Sequence, residues 1–124
     1  MSDESRDSGS GRSSHLKAIR VHRFGAPEVM VYEDVARPMP ASDEVLVRVE
    51  AAGVGPWDAW IRAGRGALPQ RLPLTLGADF AGIVEEVGHG ATEFRAGAEV
   101  YGVTNPQFTG AYAQFAVAKA TMLA

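Results

Sequence analysis

Cysteine is absent from the 124 residues. That excludes disulfides, thiolate metal sites and a cysteine nucleophile together. It also fits a reducing compartment, so the expected location is the cytoplasm. Neither sign of charge dominates: 12 Lys and Arg stand against 15 Asp and Glu, for a net charge of −3. A mildly acidic, mixed surface gives no electrostatic ground for binding nucleic acid or membrane. No apolar run approaches the roughly 18–20 residues of a membrane span. Histidine is scarce, with only His15, His22 and His89. They lie too far apart for any helical or turn spacing that builds a three-ligand site, so no metal is expected. The glycine pair around His89 (Gly88-His89-Gly90) follows an apolar run but lacks the third glycine of a dinucleotide fingerprint. That position is Glu93, whose charge would repel phosphate, and no βαβ pattern surrounds it.

What is present is a chain of 46% hydrophobic residues with 14 glycines and 7 prolines. A chain this long buries roughly two-thirds of its extended surface as one domain. Residues 1–15 (MSDESRDSGSGRSSH) hold Ser, Gly and charge, too little apolar surface to offset ordering, and are expected to be a disordered tail. From residue 16 short β-like runs alternate with Gly and Pro. Strands are expected over 17–23, with Ile19 and Val21 on one face, and over 29–35, with Val29, Val31, Glu33 and Val35 together. The cleanest is 44–52, where Val45, Val47, Val49 and Ala51 face one way and Arg48 and Glu50 the other. Further strands are expected over 79–87, 99–104 and 111–118, with 65–76 as a long loop. Glu85 and Glu86 alternate across a strand and cannot act as an acid/base pair.

The period changes once. In 55–64 (GPWDAWIRAG) Trp57, Trp60 and Ile61 fall on one helical face, with Pro56 at the first helical position, Asp58 in the first turn and Gly64 at the end. Two tryptophans at this spacing are more often packing than ligand contacts, but their place at a Gly–Pro break suits the wall of a cleft. Asp58 and Arg62 stand at i, i+4 and are expected to pair on the helix surface. Asp79 is expected to anchor backbone. The sum is a mainly β chain, a barrel or sandwich with one short helix.

Four segments in order carry a resemblance: AAGVGPWDAWIRAG (51–64), LPLTLGADFAGIVEEVG (72–88), FRAGAEVYG (94–102) and GAYAQFAV (110–117). Together they resemble the N-terminal domain of medium-chain dehydrogenases/reductases, in the zinc-independent, zeta-crystallin-like quinone oxidoreductase branch. The resemblance implies a GroES-like β-barrel over 16–124. This is the substrate domain, without the Rossmann domain that follows it in the family and without the C-terminal segment that returns to complete it. It implies NADPH in the cleft between the two domains and hydride transfer to a quinone or α,β-unsaturated carbonyl compound. Gly55, Pro56, Trp57, Trp60 and Phe108 would line the substrate and nicotinamide cleft, with Gly55 allowing close approach to the nicotinamide and Trp60 touching it. Zinc-dependent relatives carry a Cys near Gly55-Pro56 and a Gly-His-Glu where this chain has Gly77-Ala78-Asp79, so no zinc is expected. The branch typically has Asn at 55 and Tyr at 60. Gly55 and Trp60 make a more apolar pocket, suited to a bulky or aromatic acceptor. By itself the chain is expected to bind NADPH weakly and to be inactive. A homodimer and a monomer stay open. Two other readings are a stand-alone binding or interaction domain that keeps the barrel without redox activity, and a chaperonin co-factor of the GroES type. The latter is disfavoured by the lack of a long loop with an apolar tripeptide.

Overall fold

The computed structural model describes residues 14–124. The expected tail falls outside these residues up to 13, but His15 already pairs with Ala36 as the first residue of a strand. Among the described residues the chain order is β1 (His15–Val21), β2 (Met30–Ala36), β3 (Glu44–Ala52), α1 (Pro56–Arg62), β4 (Leu74–Thr75), β5 (Asp79–Val87), β6 (Glu99–Val103) and β7 (Phe115–Lys119). Single 3-10 turns stand at Pro27–Val29 and Ala120–Met122. All pairings are antiparallel, in a three-stranded sheet β2-β1-β4 and a four-stranded sheet β6-β5-β3-β7.

The central pair β3 and β5 follows the alternation of its sequence. Val45, Val47, Phe80 and Val84 enter one core with Val100, Ala111 and Ala118. Leu46, on the other face, is also fully buried, so β3 is covered on both sides over this stretch. The pair is irregular between Val49 and Ala51, where Gly82 passes so close that a Cβ would lie 2.1 Å from the Arg48 carbonyl. Only glycine fits that approach.

β1 departs from the expected face. Its buried residues are Leu16, Ala18 and Val21, with Ile19 half-buried, because this strand is central in its sheet and covered on different faces along its length. β2, an edge strand, leaves Val31 and Tyr32 exposed. The loop expected over 65–76 contains β4, whose two residues pair with Arg20 and Val21.

The expected strand 111–118 divides in two. Residues 110–114 bond to the first sheet, with Gln114 N–H donating to Lys17 O, Ile19 N–H to Tyr112 O and Tyr112 N–H to Leu76 O. Gln114 O also accepts from Val49 N–H of the second sheet. The chain then continues as β7 beside β3. One segment therefore stitches the two sheets together, which a local alternation pattern does not reveal.

A second core of Val21, Val29, Ile61, Leu74 and Leu76 lies under α1, with Phe108 and Tyr112 packed against it. No helix among the described residues is long and apolar enough to cross a membrane.

Among the described residues, one hydroxyl runs against the rule that interior polar atoms are paired. The Thr104 hydroxyl is fully buried without a partner among the described residues, although its backbone bonds to Ala78 and Lys119. Thr104→Val keeps the shape and removes the orphan, so urea denaturation should show a gain of about 1 kcal/mol. A loss would mean that the hydroxyl is satisfied.

Candidate functional site

The β3–α1 junction is built around a buried carboxylate. Gly55 is the N-cap of α1 and Pro56 opens the first turn. Glycine has no side chain to cap with, so Asp58 supplies the contact: its Oδ2 accepts the Gly55 N–H at 2.9 Å. The helix closes as the glycine pattern requires. Gly64 N–H donates to Ile61 O and Arg65 N–H to Trp60 O, with Gly64 at φ +82°.

Asp58 is only 5% exposed. The same Oδ2 accepts the Tyr112 hydroxyl at 2.9 Å, with the Gly53 carbonyl 3.2 Å from that hydroxyl as a second acceptor. Tyr112 reaches this point because Gly77, at φ +101°, leaves room: a Cβ there would sit 2.3 Å from the tyrosine ring. Burial pushes the Tyr112 phenol well above its ordinary value; the bond to Asp58 and the charges of Asp58 and Asp79 push it the same way. At Asp79 the contact is main-chain: its carbonyl accepts the Gly53 N–H at 2.9 Å, a bond that does not depend on the carboxylate. Asp58 Oδ1 and the Trp57 indole N–H are buried with no partner among the described residues.

The expected Asp58–Arg62 pair does not form. Asp58 turns inward to Gly55 and Tyr112, while Arg62 Nε donates to Gly25 O at 3.1 Å. The helix end needs a cap and the β1–β2 turn needs a donor, and both requirements outrank a weak surface pair.

Of the five expected cleft residues, three meet. Trp57 and Phe108 stand edge to face, with centroids 6.0 Å apart and rings at 70°. With Trp60, Ile61, Leu68 and Pro106 they line an apolar cavity of about 260 Å³. Trp60 is not packed as helical periodicity suggests but is 54% exposed at its mouth. Gly55 and Pro56 lie outside the lining. The space beside Gly55 is filled from within: a Cβ would lie 2.4 Å from the Trp57 indole, so this glycine seats the indole.

Sequence reasoning missed the frame. Asn105 Oδ1 accepts the Gln107 and Thr109 N–H groups, and its Nδ2 donates to Thr109 O. This holds Phe108 at φ +64°, a conformation a side-chain-bearing residue rarely takes. The Asn105-Pro106 dipeptide was the available signal. Gln70 Nε2 donates to Gln107 O at 2.9 Å and spans the two loops beside the cavity. Tyr112 and Gln70 had no local signal.

The histidines are dispersed: His15 opens β1, His22 contacts Glu33 at 2.6 Å, and His89 is exposed after β5. Among the described residues no three His, Asp or Glu side chains converge on a point that could hold a metal.

Residues 41–124 match the family described as the alcohol dehydrogenase GroES-like domain. The chain belongs to that family, and with it to the medium-chain dehydrogenases/reductases. Within them it falls in the quinone oxidoreductase branch. It is 45% identical over 104 residues to the quinone oxidoreductase of Sus scrofa, covering 83% of this chain and 31% of that protein. It resembles the structure of the quinone oxidoreductase from Coxiella burnetii, with a TM-score of 0.82 and 31% identity over 89% of this chain and 36% of that one. The Escherichia coli quinone oxidoreductase complexed with NADPH gives 0.75 and 31%, over 87% and 32%. The chain thus spans about a third of the length of these relatives.

Tyr112→Phe leaves a buried carboxylate short of a donor and should cost about 1–3 kcal/mol in urea denaturation. The raised phenol also sets a pH window. The fold holds Tyr112 neutral, so its contribution is complete below the ordinary tyrosine value of about 10 and is lost as pH rises through the higher folded value. Tyrosinate absorbance should contain a late component that Tyr112→Phe removes; an unchanged titration would contradict this arrangement.

Proposed function

We propose that this chain is the acceptor-binding part of a zinc-independent, NADPH-dependent reductase that passes hydride to a quinone or α,β-unsaturated carbonyl compound. The observation that carries this reading is the aromatic cavity of Trp57, Trp60 and Phe108, at the β3–α1 junction of a chain in the quinone oxidoreductase branch.

The described residues do not fit a dinucleotide. The α1 N-terminus has its Gly55 N–H occupied by Asp58, whose charge disfavours phosphate there. The place beside Gly55 is filled by indole. A nucleotide-binding segment outside this chain would therefore be needed, and the chain by itself would be inactive. Where zinc-dependent relatives would place a Cys and a His, this chain has Gly55-Pro56 and Ala78, which offer no ligating side chain, and this supports a reaction without a Lewis acid.

The chain's own task is then positioning and water exclusion. Trp57 and Phe108 present an edge and a face that hold a flat ring. Trp60, half open, covers the mouth. Asp58 and Tyr112 keep the indole-bearing turn in place from behind and do not touch the acceptor. Proton delivery is left to solvent, since the lining residues include no acid.

Trp60 in place of the branch's tyrosine favours large acceptors. The chain joined to the downstream segment of a quinone oxidoreductase should oxidise NADPH with quinones. In that fusion Trp60→Tyr should lower the kcat/KM ratio of large over small enones about tenfold. An unchanged ratio would count against the pocket assignment.

A further inference from the structure

A second cavity lies on the far side of the turn that carries Phe108. Asn105, Thr109 and Gly110 line it, whereas Pro106, Gln107 and Phe108 of the same turn line the aromatic one. Its volume is about 450 Å³, the size of a small-molecule site. The turn leaves it open, since a Cβ on Gly110 would meet nothing within 4 Å. Its long axis can be followed along the chain. At one end Gly110 N–H donates to Thr75 O, and Thr75 pairs directly with Arg20 of β1, so these two side chains share a face. Ala113 then bridges to Ala18, and Phe115, Ala116 and Val117 continue beside β3 to the other end, where Lys119 pairs with Glu44. On β1 the wall runs from Arg20 to Leu16, four residues or about 13 Å. Between the ends Leu16, Val35, Ala113, Phe115 and Val117 make an apolar channel.

The two charged side chains of the lining differ. Glu44 is engaged: its Oε1 accepts Ala41 N–H at 2.9 Å, and its Oε2 stands 3.6 Å from Lys119 Nζ. Arg20 is engaged at Nε alone, 3.3 Å from Glu33 Oε2, an oxygen that His22 Nε2 also contacts at 2.6 Å. The Arg20 side chain is only 20% exposed, and its Nη groups have no acceptor among the described residues. The hydroxyls of Thr75 and Thr109, which line the same end, have no hydrogen-bond partner there either. Arg37, whose guanidinium lies over the Phe115 ring at 4.5 Å, is held by Glu86 at 3.0 Å and is not part of the lining.

A guanidinium with open paired donors, two hydroxyls at its end and an apolar channel behind fit a carboxylate on an aliphatic chain. We propose that this cavity is a second ligand site, for a small aliphatic carboxylate whose head lies on Arg20, Thr75 and Thr109 and whose chain runs past Phe115 and Leu16. Glu33 offsets much of the Arg20 charge, so selection rests on the paired Nη donors. The site is separate from the aromatic cavity and does not depend on what that cavity takes.

The test titrates octanoate and octanamide, equal in length, into the nitrogen-15-labelled chain while its NMR signals are followed. Octanoate should shift the backbone amides of Arg20, Thr75, Ala113 and Val117 and bind about tenfold more tightly than octanamide. Arg20→Gln should remove the preference and leave octanamide binding unchanged, whereas Arg20→Lys should retain part of it. Thr109→Val, which keeps the Arg20–Glu33 pair, should lower octanoate affinity about threefold. Where Arg20→Gln fails to fold, Thr109→Val carries the test, and full octanoate affinity there overturns the position of the head. Equal affinities for the two probes overturn the carboxylate assignment, as does an unchanged preference in Arg20→Gln. Shifts confined to the indole N–H signals of Trp57 and Trp60 put octanoate in the aromatic cavity and overturn the second site. No shift up to about 10 mM octanoate overturns it as well.

Discussion

One carboxylate oxygen holds the β3–α1 end of this domain together. Asp58 Oδ2 takes the backbone N–H of Gly55 and the hydroxyl of Tyr112, residues that the chain separates widely and the fold brings within 2.9 Å of the same atom. A buried charge is costly unless it is hydrogen-bonded. Here the two donors fix the first turn of α1 and the tyrosine in one position. Tyr112 belongs to the segment that stitches the two sheets. The helix carrying the tryptophans is thus registered against both sheets through a single side chain.

The aromatic cavity follows from that constraint. With Gly55 held by Asp58, the missing Cβ leaves the space into which the Trp57 indole fits. Phe108 meets it edge-on because Asn105 holds the loop in a conformation that aims the ring inward. The wall therefore joins residues of α1 to loop residues, each held by hydrogen bonds behind them, a common arrangement for cavities placed on a rigid scaffold. The cavity is thus apolar in front, with the bonds of Asp58 Oδ2 and Asn105 fixing its walls from behind.

Elements with a strong local pattern were legible in the amino-acid order. The alternation in β3 and β5 gave both strands with their observed bounds, and Gly55, Pro56 and Gly64 bracketed α1 within a residue or two. The rest depended on distant partners. β4 is two residues long and exists only through its pairing with β1. Residues 111–114 alternate like β7 yet bond to the other sheet, because Gly77 admits Tyr112 there. The aromatic residues that line the cavity were visible as Trp57, Trp60 and Phe108. Their support was not, since Asp58 looked like the partner of Arg62 at helical spacing, and its true partner is 54 positions away. The missing Cβ of Gly55 also makes room for the Trp57 indole, a role that the local sequence did not suggest.

On the proposed function, this chain lines one side of a cleft and leaves the cofactor to a segment outside it. The most direct measurement is a titration of the purified chain with NADPH, followed by the fluorescence of its two tryptophans. The account predicts no saturation up to about millimolar cofactor, equivalent to binding no stronger than about −4 kcal/mol. Saturable binding in the micromolar range would contradict it, because these residues would then build a dinucleotide site of their own.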